Sequence, residues 1–239
     1  QRWQRYAQRA TSMPLQSLRQ IRTFAKLLER QVTHFIGVAD NRLALPLEGS
    51  NAIPRPPQCD WAHRPALWRQ AVTPVGRSSA PKQAIITENA TLFHDCDVSE
   101  ITYRQMRNAR EEDLAPYGLK VEVFKFDGSF LSVAIDLPQE AVTGLSKDNI
   151  IGVNLNYDYE RPLDICARLN IKHGPNVEQV VREFSVEDGE TYVEFDLSYT
   201  KINDKRLEGM WLDLIFDAPD MNQVMIHDLY FVRRPRAAF

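Results

Sequence analysis

The stretch LDICARLNIKH, residues 163–173, alternates strictly: Leu163, Ile165, Ala167, Leu169 and Ile171 are apolar, and Asp164, Cys166, Arg168, Asn170 and Lys172 are not. A period of two fits a half-buried β-strand and no helix. The pattern recurs from about residue 84 to the end, in short apolar runs separated by turn residues. Asp127-Gly128 stands between LKVEVFKF and SFLSVAIDL, Gly174-Pro175-Asn176 between LDICARLNIKH and VEQVVREF, and Asp188-Gly189 before TYVEFDLSY. Such turns between β-branched and aromatic runs predict hairpins. Further strands are expected at 149–157, 210–217 and 224–232. No crossover helices separate the later strands, so the sheets should be antiparallel. The expected fold is mainly β, a jelly-roll-like antiparallel sandwich over 84–239. The segment 98–114 is the exception. Its Ser99 cap and helix formers predict a short helix, although Ile101, Tyr103 and Met106 suit either period.

Two different segments precede this body. Over 15–36, Leu18, Ile21, Ala25, Leu28, Val32 and Phe35 recur in steps of three and four, an amphipathic helix entered at Pro14 and expected to stop near Gly37. It belongs to an arm spanning 1–45. Residues 46–83 hold seven of the fourteen prolines, which excludes regular helix or a central strand. They read as an extended strap, pinned to the body by Trp61 and Trp68.

Net charge is only −3, but residues 1–80 hold 12 Lys and Arg against 4 Asp and Glu, and the remainder 17 against 28. A basic arm on an acidic body reads first as a helix packed on the body or on a second copy through 15–36. It reads second as a peripheral membrane contact. Nucleic-acid binding is not expected, because the basic RRPRAAF end has no stacking platform beside it. No run reaches the roughly 18 apolar residues of a membrane span. Cys59, Cys96 and Cys166 are too few for a disulfide framework, and QRWQRYAQRA lacks a secretory apolar core, which together point to a cytoplasmic location.

No P-loop, dinucleotide fingerprint or catalytic triad spacing is present. The chemistry lies in the outward rows. Sorting by alternation turns Arg168 and Asn170, Tyr192 and Glu194, and Trp211 and Asp213 outward, with Val193, Phe195, Leu212, Leu214 and Phe216 inward. Aromatic rings stack on the apolar faces of sugars, while amide, carboxylate and guanidinium groups take sugar hydroxyls in pairs. These six residues are therefore the candidate ligand-binding set, for a saccharide or glycan. The same rows are also what an antiparallel sheet shows to water. The preferred function is a non-catalytic binding module. The alternatives are an assembly protein self-associating through its helix, or a carbohydrate-active enzyme, for which no carboxylate pair can be chosen.

No cofactor is expected, apart from a structural calcium for which Asp95, Asp97 and Asp228 are the candidate ligands. Cys59, His63, His94 and Cys96 do not have the spacing of a structural zinc site. His173, at a hairpin tip, reads as a turn residue.

The segments LFHDCDVSEIT, REEDLAPYGLKVEVFKFDGSFLS, ERPLDICARLNIKHGPN, FDLSYTKIN and WLDLIFDAPDMNQ resemble an uncharacterised alphaproteobacterial family, a domain of unknown function. That resemblance implies no activity and no site residues. The closing pair WLDLIF and IHDLYFVRR is similar to galactose-binding-like jelly rolls and carbohydrate-binding modules, a likeness of fold that does not itself imply function.

Overall fold

The computed structural model describes residues 2–43, 53–110, 113–184 and 192–236. Helices α1 (Arg2–Arg9) and α2 (Leu15–Leu43) come first, and a one-turn helix α3 (Ala66–Arg69) lies in the proline-rich segment. Thirteen strands follow in the described residues: β1 (Trp61–His63), β2 (Gly76–Arg77), β3 (Gln83–Thr87), β4 (Ala90–His94), β5 (Ile101–Arg107), β6 (Tyr117–Val123), β7 (Leu131–Asp136), β8 (Asn149–Tyr159), β9 (Ile165–His173), β10 (Asn176–Phe184), β11 (Tyr192–Asp196), β12 (Leu207–Phe216) and β13 (Asn222–Pro235). One sheet runs β11-β8-β13-β6-β5-β2, with β1 also paired to β13; the other runs β10-β9-β12-β7-β4-β3. All pairings are antiparallel. The molecule is a mainly β, jelly-roll-like sandwich with an N-terminal helical arm.

The inward rows form the layer between the sheets. Ile165, Ala167, Leu169 and Ile171 meet Leu212, Leu214 and Phe216 from one side, and Ile151, Val153, Leu155, Val193 and Phe195 from the other, all buried. At about 25 cal/mol per Å² of buried apolar surface, this interlayer is the main source of cohesion and makes register strict. A slip of one residue would turn every one of these side chains to water.

The strap is structural. Trp68 is fully buried in the core and donates Nε1–H to the Ile226 carbonyl at 3.2 Å. Trp61 packs against the core edge, with its ring stacked on His63. Arg64 donates two hydrogen bonds to Asp228, at 2.8 and 2.7 Å. Arg233 binds Asp60 and the Ala141 and Thr143 carbonyls. From residue 53 on, the segment thus lies against the seven-stranded sheet and contributes β1 and β2 to it.

Five local expectations differ from the structure. The prolines of 46–83 do not exclude every helix, since the single turn α3 follows directly on Pro65, at whose place no amide donor is needed. Where a helix is expected over 98–114, residues Ile101–Arg107 form β5 instead, because Ile101 and Tyr103 sink into the interlayer on a period of two while the backbone completes a ladder with β6. Gln105, buried beside them, accepts from the Val72 amide and donates to the Leu67 and Gln70 carbonyls, as a helix-surface glutamine would not. Asp127-Gly128 does not close a hairpin, since β6 and β7 lie in different sheets and the turn is a crossing between layers. Asp188-Gly189 lies outside the described residues, and the strands it joins, β10 and β11, also belong to different sheets. Gly37 does not stop α2, which continues to Leu43; an interior glycine costs a helix only about 1 kcal/mol. The Gly174-Pro175 turn does close the β9–β10 hairpin, with Gly174 at a φ of 58° that a side chain would resist.

Candidate functional site: an open polar and aromatic sheet face

The outward row of the six-stranded sheet brings together four of the six candidates. Trp211 on β12 stands level with Asn170 on β9 and with Asp136 on β7; Asp213 stands level with Arg168 and Ala134. Gln179 on β10 lies beyond Asn170. Asp213 Oδ2 accepts from Arg168 Nε at 3.0 Å, Arg168 Nη2 at 2.9 Å and Asn170 Nδ2 at 2.9 Å, and Gln179 Nε2 donates to Asn170 Oδ1 at 2.9 Å. The amide of Asn170 is thus fixed in orientation and its side chain buried, while the Arg168 side chain keeps 38% of its surface. Desolvation against the sheet, and then the nearby Asp213 carboxylate, hold Asp136 above the usual carboxylate value. The face meets solvent: Asp136, Gln179 and Val181 are exposed, Ile85 is 67% exposed, and Trp211 is half-buried.

Tyr192 and Glu194 lie elsewhere, on β11 of the seven-stranded sheet. Alternation sorts side chains into inward and outward, but a sandwich has two outward faces, so the six residues form two groups and not one site. Tyr192 lies over Gly152, donates to Glu194 Oε1 at 3.0 Å, and is pushed up to about 12, first by burial and then by that hydrogen bond. Arg234 grips both oxygens of Glu194 at 3.0 Å. With Pro54, Arg55, Pro56, Pro57, Tyr230 and Val232, these side chains line an open cleft of about 740 Å³ beside the strap. The Glu194 carboxylate is neutralised within the protein.

The proposed calcium ligands have other partners. Asp228 is held by Arg64, and burial, outweighing that guanidinium, keeps its carboxyl above the usual value. Asp95 accepts from the amide and hydroxyl of Ser129 and from the Phe130 amide, bracing the crossing between β6 and β7. Asp97 is exposed, 3.7 Å from Lys82. Among the described residues, no group of three or more His, Cys, Asp or Glu is arranged to hold a metal ion. The Cys59 thiol donates to the Trp61 carbonyl and His94 Nε2 lies 2.9 Å from the Ala80 carbonyl, so these two also point to separate partners. His173 is buried at the hairpin and is no exposed turn residue.

Sequence reasoning missed Gln179, Asp136 and Arg234. Gln179 follows from the tight β9–β10 turn, which sets it opposite Asn170. Asp136 and Arg234 needed the strand neighbours β7–β12 and β11–β8–β13, which no local signal encodes.

Among curated proteins, none matches the sequence. Solved structures with a similar chain path include the family 11 carbohydrate-binding module from Clostridium thermocellum, in complex with a β-1,3-1,4-mixed-linked tetrasaccharide. It is 9% identical, with a TM-score of 0.39, over 69% of this chain and 100% of that one. The CBM22-1 xylan-binding domain from Paenibacillus barcinonensis Xyn10C is 8% identical, with a TM-score of 0.37, over 78% of this chain and 100% of that one. The enzymatically active domain of bacteriophage CBA120 tailspike protein 4 is 7% identical, with a TM-score of 0.42, over 61% of this chain but only 19% of its own. The model of one family matches from residue 1 to residue 239, and the chain belongs to it: the family of unknown function DUF6478.

Proposed function

We propose that the protein is a non-catalytic saccharide-binding module and that the outer face of its six-stranded sheet is the binding surface. The observation that carries this reading is the placement of Trp211 between Asn170 and Asp136 on a solvent-open face, with Asn170 held in place by Asp213 and Gln179. A ring on a rigid sheet offers a stacking platform, and amide and carboxylate groups already fixed beside it lose little conformational freedom when they take sugar hydroxyls. Charge favours a neutral glycan. Arg168 is paired with Asp213 and Lys172 with Glu208, so neither cation awaits an anionic ligand.

The same network supports a reading without turnover. Glycoside hydrolysis uses two carboxylates in separate roles, whereas Asp213 is occupied by an arginine and an amide, leaving Asp136 as the acid beside Trp211. Calorimetric titration with a panel of neutral β-linked oligosaccharides tests the reading. Binding should be lost or weakened by about 2 kcal/mol, roughly thirtyfold, in Trp211→Ala, the scale expected of a central aromatic contact. Absence of heat with every saccharide, or a Trp211→Ala variant that binds like the parent, would remove it.

A further inference from the structure

The arm has its own chemistry. Residues 2–36 carry seven Lys and Arg against one acid, Glu29. On α2, Arg19, Arg22, Lys26 and Arg30 fall on one side, and Ile21, Phe24, Leu28 and Phe35 on the other, as 100° per residue requires. α1 folds back on this apolar side, with the ring of Trp3 stacked on Phe24 at 6.1 Å and Tyr6 edge-on to Trp3 at 5.7 Å. Much of the apolar side nevertheless meets water: Phe24 is 61% and Phe35 69% exposed, and Leu27, Val32 and Ile36 are also exposed.

Three occupants can be compared. The arm of a second copy would cover the apolar side but bring two sets of seven cations together. A nucleic acid would answer the cations and leave Phe24, Leu27, Phe35 and Ile36 without a use. An anionic bilayer answers both, because acyl chains cover the apolar side while lipid phosphates meet Arg and Lys side chains long enough to reach the headgroups. No helix among the described residues is long and apolar enough to cross a membrane, so the contact would lie in the membrane plane. The stretch 15–36 would be about 33 Å long at 1.5 Å per residue.

We infer that residues 2–36 form a membrane-surface anchor for anionic lipid, presenting the sandwich at the bilayer surface. The inference is independent of the saccharide reading, since it uses no residue of the sheets.

The test is flotation of the full chain with mixed phosphatidylcholine–phosphatidylglycerol vesicles and with phosphatidylcholine alone. The protein is expected to float with the mixed vesicles only, and less as salt rises. The F24E/F35E variant should stay in solution. The R19Q/K26Q/R30Q variant should bind on the order of a hundredfold more weakly, each basic residue at an anionic surface contributing roughly a factor of five. Both variants should keep the parent's thermal unfolding of the body, which separates lost docking from lost folding. Failure to float with the mixed vesicles overturns the proposal. So does a parent dimer in sedimentation velocity that F24E/F35E disperses while vesicle binding is absent, which would give the face to a second copy. Nucleic-acid binding that survives F24E/F35E, without flotation, overturns it as well.

Discussion

Replacing Arg64 with methionine isolates the contact that fastens the strap to the seven-stranded sheet. Arg64 is 1% exposed, its guanidinium meets both oxygens of Asp228, and it lies 5.9 Å over the ring of Tyr230. Methionine preserves most of the volume and removes the charge, leaving a buried carboxylate without its cation. Breaking a buried pair from one side costs about 3–5 kcal/mol. Against a domain stability on the order of 10 kcal/mol, that is a third or more of the total. Urea unfolding near neutral pH should therefore show a large drop in midpoint with little change in slope. The double variant R64M/D228L should recover most of the loss, since two apolar groups leave nothing unsatisfied.

The pH dependence carries a definite sign. Asp228 already titrates above its ordinary 3.8, chiefly through burial and despite Arg64. The folded state therefore takes up this proton at a higher pH than the unfolded chain. Stability from this group rises as the pH falls from its folded value towards 3.8. Without Arg64 the folded value climbs further, so the R64M deficit should shrink on acidification. A loss below about 1 kcal/mol, or a deficit that does not change with pH, would refute the buried-pair account.

Other perturbations probe the same scaffold. Trp68→Ala removes the largest fully buried side chain and should cost about 3–5 kcal/mol in denaturant unfolding, because Trp68 fills the core beneath the strap. Gly152→Ala would place a Cβ 2.7 and 2.8 Å from atoms of the Tyr192 ring. The ring must swing from Glu194 at a cost of about 1–3 kcal/mol, read as a lower Tm with saccharide binding unchanged. His63 is held near 4, by burial and then by Arg69, against 6.5 when unfolded. The unfolded chain binds this proton first, so stability should fall as the pH drops from 6.5 to about 4, and His63→Gln should flatten that part of a melting profile.

How much of this was legible in the sequence depends on the range of the information. Alternation acts within one strand, and it places Leu169, Leu212, Val153 and Phe195 inward and Arg168 and Trp211 outward, as the structure has them. Partnership acts between strands far apart in the chain. β12 lies between β9 and β7, and β11 beside β8; nothing local distinguishes the two outward faces, so alternation alone groups Tyr192 and Glu194 with the wrong neighbours. Turn chemistry has the same limit. Asp127-Gly128 bends the chain as a hairpin turn would, but the next strand joins the other sheet while Asp95 braces the bend. In 98–114 both periods were written, and the vacant edge of β6, a tertiary feature, decided for the strand.

The most direct measurement sets the two faces against each other. In calorimetric titration with a neutral oligosaccharide, Trp211→Ala should lose binding while Tyr192→Phe, altered on the opposite sheet, should bind like the parent. Binding that disappears with Tyr192→Phe and persists in Trp211→Ala would place the ligand in the strap cleft and contradict the central claim.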